Sequence, residues 1–137
     1  MELGRGDCFA KNKLVIEVRD VRQNPNEQFR RWFSDDNFDL IVWYMPDEIV
    51  YGFELSYDRD DQEKVLRWFS DRGLSHYSVD RAPYLNRAEM LVKMNGQSEM
   101  ARVLSCFRTV DQSLPIELKT LVCEKIEEYG QLGIRLR

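Results

Sequence analysis

The pentapeptide RWFSD stands at Arg31–Asp35 and again at Arg67–Asp71, and whether it is helix or strand decides the fold. In the first copy Phe29, Trp32 and Phe33 recur at helical spacing after the turn signal Asn24-Pro25-Asn26, which predicts a short helix or a couple of turns. Val65, Trp68 and Phe69 repeat that spacing in the second copy. Here the reading stays open, because SDRG ahead of LSHYSVD also suits a hairpin turn between two strands.

The flanks are clearer. Leu14–Arg19 is apolar and β-branched and reads as a first strand. Phe38–Met45 is apolar on both faces, as a central strand is. Beyond Pro46 and Asp47, which favour a turn, Ile49–Tyr57 alternates. Ile49, Tyr51, Phe53, Leu55 and Tyr57 fall on one face, and Val50, Gly52, Glu54 and Ser56 on the other. These two segments make a hairpin. Ser75–Asp80 is a strand ended by Pro83, and Met90–Met94 is a last short one. Met100, Val103, Leu104 and Phe107 place an amphipathic helix over Ser98–Thr109, with Ser98 as N-cap. Ser113–Pro115 opens a second helix whose stripe is Leu118, Leu121, Val122, Ile126 and Tyr129, with Gly130 as its stop.

Aligned on RWFSD, Glu27 falls with Glu63, Phe29 with Val65, Phe38 with Leu74, and Asn37 with Gly73. Asn and Gly are the residues most tolerant of positive φ. The preceding strands do not align in phase, which favours shared local grammar over duplication. The fold expected is α+β: a single domain over 1–137, with an N-terminal arm (1–12), an antiparallel sheet around the central hairpin, and a C-terminal helical pair (98–130) packed on it. The alternative is a ferredoxin-like split βαβ arrangement, β-α-β-β-α-β, with the helices appended.

Composition narrows the function. The 137 residues are 43% hydrophobic and 32% charged, which is globular rather than disordered. A net charge of −4 disfavours nucleic acid as a partner. Mean hydropathy of −0.53 without a long apolar run disfavours a membrane span, and the charged N-terminus does not read as an export signal, so a cytoplasmic location is expected. The Arg5–Asp7 RGD is taken as chance. Cys8, Cys106 and Cys123 form an odd set without CxxC spacing, which argues against a disulfide framework and structural zinc. Seven scattered glycines form no phosphate loop or dinucleotide fingerprint, so no cofactor is expected.

The stretch from Arg30 to Asp80 is similar to a widespread group of small bacterial proteins to which no activity is assigned. RRWF at Arg30–Phe33, FDLIVW at Phe38–Trp43, GFELSYD at Gly52–Asp58 and the spacing of Trp68, His76, Val79 and Asp80 carry the resemblance. In that group Gln is common where Glu54 stands, and Thr precedes the tryptophan matching Trp68. A β-branched neighbour tips that segment toward a strand in a meander. The resemblance implies a fold and a bacterial origin, and transfers no catalytic residue.

Few residues offer chemistry. Asp39 and Glu54 on the two hairpin strands resemble the carboxylate pair of a metal-dependent nuclease core, but Ser56 stands where the activating lysine belongs. The carboxylate-rich loop Asp58–Glu63 lacks the glycine and distal glutamate of a calcium loop. His76 is the single histidine; it shares a strand face with Ser78 and Asp80, an arrangement short of the oxyanion donors acyl transfer needs. Arg30, Arg31 and Arg67 beside aromatics suit sheet shielding or ion pairs better than base stacking. The expectation is a non-catalytic domain binding a protein partner or a small molecule, with no metal. The alternative is a divalent-metal-dependent hydrolase drawing on Asp39, Glu54 and Asp80, with His76 as the other candidate base. The aromatic supply also allows a homodimer through an exposed sheet face or edge.

Overall fold

The computed structural model describes residues 14–135; the N-terminal arm, the RGD and Cys8 lie outside them. Each RWFSD copy is a strand, not a helix. Strands β1 (Ile16–Glu17), β2 (Phe29–Ser34), β3 (Phe38–Tyr44), β4 (Val50–Tyr57), β5 (Lys64–Phe69), β6 (Gly73–Val79) and β7 (Leu91–Lys93) form one seven-stranded sheet in chain order. Every pairing is antiparallel. No helix separates β1 from β2 or β4 from β5, so the split βαβ alternative does not hold. Helix α1 (Arg87–Met90), capped by Asn86 and Glu89, precedes β7. Helices α2 (Met100–Arg108) and α3 (Ile116–Arg135) follow the sheet. The class is α+β, as expected.

The helical reading of Phe29, Trp32 and Phe33 fails for a physical reason. A five-residue window satisfies both periods, and the strand period wins because β3 supplies a full ladder, Phe29↔Tyr44 through Ser34↔Asp39. The two copies also face opposite ways. Phe33 is in the core while Trp32 pairs with Ile41 on the other face; Trp68 pairs with Phe53 on the core face while Phe69 lies opposite. Turn chemistry differs too: Gly73 has φ 77°, whereas the first turn is closed by Asp35, whose carboxylate accepts from the backbone N–H of Asn37 and Phe38 at 2.7 and 2.9 Å. Asn37 is not among the positive-φ residues. This is one strand sequence used in two frames.

Helices α2 and α3 cover one sheet face. Leu40, Val42, Phe53, Leu55 and Leu66 from the central strands meet Met100, Val103, Phe107, Leu118, Val122 and Ile126. Three expectations about the covering layer change. A 3-10 turn at Gln97–Glu99 opens it, with Glu99 rather than Ser98 at the N-cap. Helix α3 runs through Gly130, because a side chain there would press on Met100; the glycine allows close approach and ends nothing. Cys106 is disulfide-bonded, against the expectation of no disulfide, while Cys123 carries a free thiol.

A bulge reorders the start of β4. Tyr44 pairs with Val50 and Trp43 with Gly52, so Tyr51 is the extra residue. Val50 therefore packs against the core. Tyr51, expected on the Phe53 face, lies against Phe69 instead, centroids 5.2 Å apart. Gly52 leaves a slot across β4 in which Trp43 and Phe69 meet at 5.4 Å. A Cβ there would collide with the Phe69 ring and the Trp68 carbonyl. Gly52→Ala is therefore expected to cost about 1–3 kcal/mol, the usual penalty of overpacking, read as a lower urea midpoint at unchanged m-value. An unchanged midpoint would show that the slot is not tight.

Candidate functional site

The sheet face that the helices leave open is concave. Seven strands spaced about 4.8 Å apart would lie roughly 30 Å across if flat, yet one depression of about 410 Å³ is lined both by Val18 beside β1 and by Leu91 on β7. The sheet curls around it. Its floor is apolar, from Trp32, Ile41, Val65 and Val79, which alternation assigns to the face opposite Leu40, Leu55 and His76.

Charged side chains rim this floor, and most carboxylates are already engaged. Asp39 accepts from the Trp32 indole Nε1–H at 3.2 Å and pairs with Arg59 at 3.3 Å. Glu54 pairs with Arg67 at 2.5 Å, and Glu63 pairs with Arg81. The Arg67 Nε–H is buried without a hydrogen-bond partner among the described residues, its guanidinium 5.2 Å from the Tyr77 ring centroid. On the β1 side, Gln23 pairs through its side-chain amide with the backbone of Arg30, donating from Nε2 and accepting at Oε1, both at 2.9 Å. Arg30 Nε–H donates to the Arg22 carbonyl at 2.8 Å.

The structure thus brings together Asp39 and Glu54 of the sequence candidates, as diagonal neighbours on the open face, and separates the others. Asp80 caps the Ala82 N–H at 3.0 Å. In the carboxylate-rich loop, Asp58 pairs with Arg102 at 2.8 Å and with Lys64 at 3.5 Å. Among the described residues no group of three or more histidine, cysteine, aspartate or glutamate side chains is placed to hold a metal ion. No described helix is long and apolar enough to cross a membrane. Missed in the sequence were the Gln23–Arg30 clasp and the Arg59 contact, both of which depend on side chains folding back across turns.

His76 belongs to the other face. It is buried between β4 and α3, stacked on Tyr129 with ring centroids 5.7 Å apart, and Gly96 lies flat against it. Its Nδ1 faces the Met94 carbonyl at 3.2 Å, so that nitrogen donates; Nε2, 2.5 Å from the Tyr57 hydroxyl, accepts. The imidazole is neutral and fixed as one tautomer. Burial and Lys64 hold it below the usual histidine range, against the Met94 hydrogen bond and Glu99. Burial, with Glu99 and Asp58 nearby, pushes the Tyr57 phenol well up, so Tyr57 keeps its proton and donates. This cluster fastens the helices to the sheet.

No family model, curated protein or solved structure matches the chain.

Two outcomes are expected. The unfolded chain takes up a proton at His76 below about pH 6.5 while the native state resists it. Stability from this group is therefore full above that pH and falls as pH drops toward the folded value. From pH 6.5 to 5.5 the loss should approach at most about 1.4 kcal/mol per unit, one proton's worth, and His76→Gln should flatten that slope in urea titrations. Trp68 packs on Phe53 with Lys125 over its ring, so Trp68→Ala should cost about 3 kcal/mol. Trp32→Ala, on the open face, should cost less than half as much; equal losses would contradict the face assignment.

Proposed function

We propose that the protein is a non-catalytic binding domain and that the concave open face of its sheet holds a small molecule. The observation that carries this reading is the depression itself. Its volume of about 410 Å³ lies within the range of small-molecule sites, and an apolar floor with a few fixed polar groups at the rim is how such sites are made. The resemblance read from RRWF, FDLIVW and GFELSYD would make the origin bacterial and brings no activity with it.

The hydrolase alternative draws less support. Asp39 and Glu54 are each held by an arginine, which competes with a cation for their oxygens, and Asp80 is turned to a backbone cap away from both. A second binding reading has its own observation. Phe29 and Met45 are exposed at 58% and 39% and border a broad depression with Pro25, Pro46 and Pro115, a surface suited to a protein contact or to a second copy of the chain. Light scattering of the wild type and of Phe29→Ser tests that contact.

The small-molecule reading is tested by a thermal-shift panel of metabolites, nucleotides and divalent metals. A ligand at about a hundred times its Kd adds about 2.7 kcal/mol to the native state, which raises Tm by several degrees. The shift is expected to vanish in Ile41→Trp, which fills the floor. A hit retained in that variant, or a panel with no hit, would count against the concave face.

A further inference from the structure

We propose that the concave face selects organic anions, seating a carboxylate, sulfonate or phosphate beside Arg22 and Arg30 with the apolar body of the ligand on Trp32 and Ile41. The proposal rests on the small-molecule reading above and names the chemistry of what binds there.

The argument starts from how the rim charges are spent. Of the carboxylates lining the depression, Asp39, Glu54 and Glu63 are paired with Arg59, Arg67 and Arg81. Asp20 is the one left without a cation partner among the described residues. Arg19, Arg22 and Arg30 line the same depression and have no carboxylate partner among the described residues. The unspent charge on the β1 side is therefore positive, although the whole chain is acidic. The rim opposes the net charge of the molecule.

Unpaired surface arginines are common, and Arg30 differs from them in being held. Its backbone is clasped on both sides by the Gln23 amide, and its Nε–H is anchored to the Arg22 carbonyl. That leaves its terminal nitrogens free to act as a two-pronged donor. A guanidinium already fixed at one edge loses little freedom on meeting a carboxylate or phosphate, and the pairing is charge-assisted and bidentate. Beside it Trp32 is pinned by its indole hydrogen bond to Asp39, so a rigid flat surface stands two residues along the strand from the fork, on the same sheet face. A ligand that uses both must carry an anionic end and an apolar body.

The test uses three ligands of one shape: naphthoate, naphthylmethanol and naphthylmethylamine, titrated calorimetrically into the full chain, with the Trp32 indole N–H followed by NMR. Naphthoate is expected to bind at least about tenfold tighter than the alcohol, a difference of about 1.4 kcal/mol, with the amine weakest, and to lose that advantage as salt is raised. In the double variant Arg22→Gln and Arg30→Gln, naphthoate should fall to the affinity of the alcohol, while the alcohol's affinity and the thermal midpoint stay as in wild type. Equal affinities for the three compounds in the wild type would overturn the anion preference and leave the binding face standing. No binding by any of them and no movement of the Trp32 resonance would remove the binding face as well.

Discussion

A strand sends successive side chains to opposite sides, and here the helices cover only one of them. That constraint governs the rest of the structure. Each strand divides its residues between a face sealed by α2 and α3 and a face that stays open, and the two groups have different physics. Burying a Leu or Phe such as Leu40 or Phe53 stabilises by about 1.5–3 kcal/mol, whereas each partly exposed ion pair on the open face contributes about 0–1 kcal/mol. The sealed face carries most of the stability, and the open face is the one on which the proposed binding would rest.

His76 shows what the sealed face demands of a polar residue. An imidazole there keeps its place by being neutral, by using both ring nitrogens and by stacking on Tyr129. A buried polar group left unpaired would cost about 1–3 kcal/mol. The same group on the open face would have been a reasonable acid–base candidate. Position in the sheet, rather than residue type, assigns it to the scaffold.

The Phe38–Tyr57 hairpin and both C-terminal helices were legible in the sequence, because each runs long enough for its period to be unmistakable. RWFSD was not, because five residues fit a helix and a strand equally well, and the partner that decides between them is distant in sequence. The bulge at Tyr51 left no mark either, and it moved that side chain from the expected face to the other. At the site, the sequence singled out Asp39 and Glu54 as carboxylates on the two hairpin strands, and the strand register puts them on one face. What they do there follows from register: Arg67 meets Glu54 only because β4 and β5 pair as they do. The Gln23–Arg30 clasp spans a turn and has no period to read.

The order of elements along the chain has a consequence during synthesis. The sheet is a meander of neighbouring strands, so it forms from contacts close in sequence, which favours rapid pairing. Its seal comes last: α2 and α3 leave the ribosome only after every strand has emerged. Until then Leu40, Phe53, Leu55 and Leu66 have no cover, on a sheet able to pair but unable to hide its apolar side, and such a surface invites association with other nascent chains. A cell making this protein meets its greatest exposure to aggregation in the interval before α3 arrives, and a chaperone that shields apolar surface would find its substrate there.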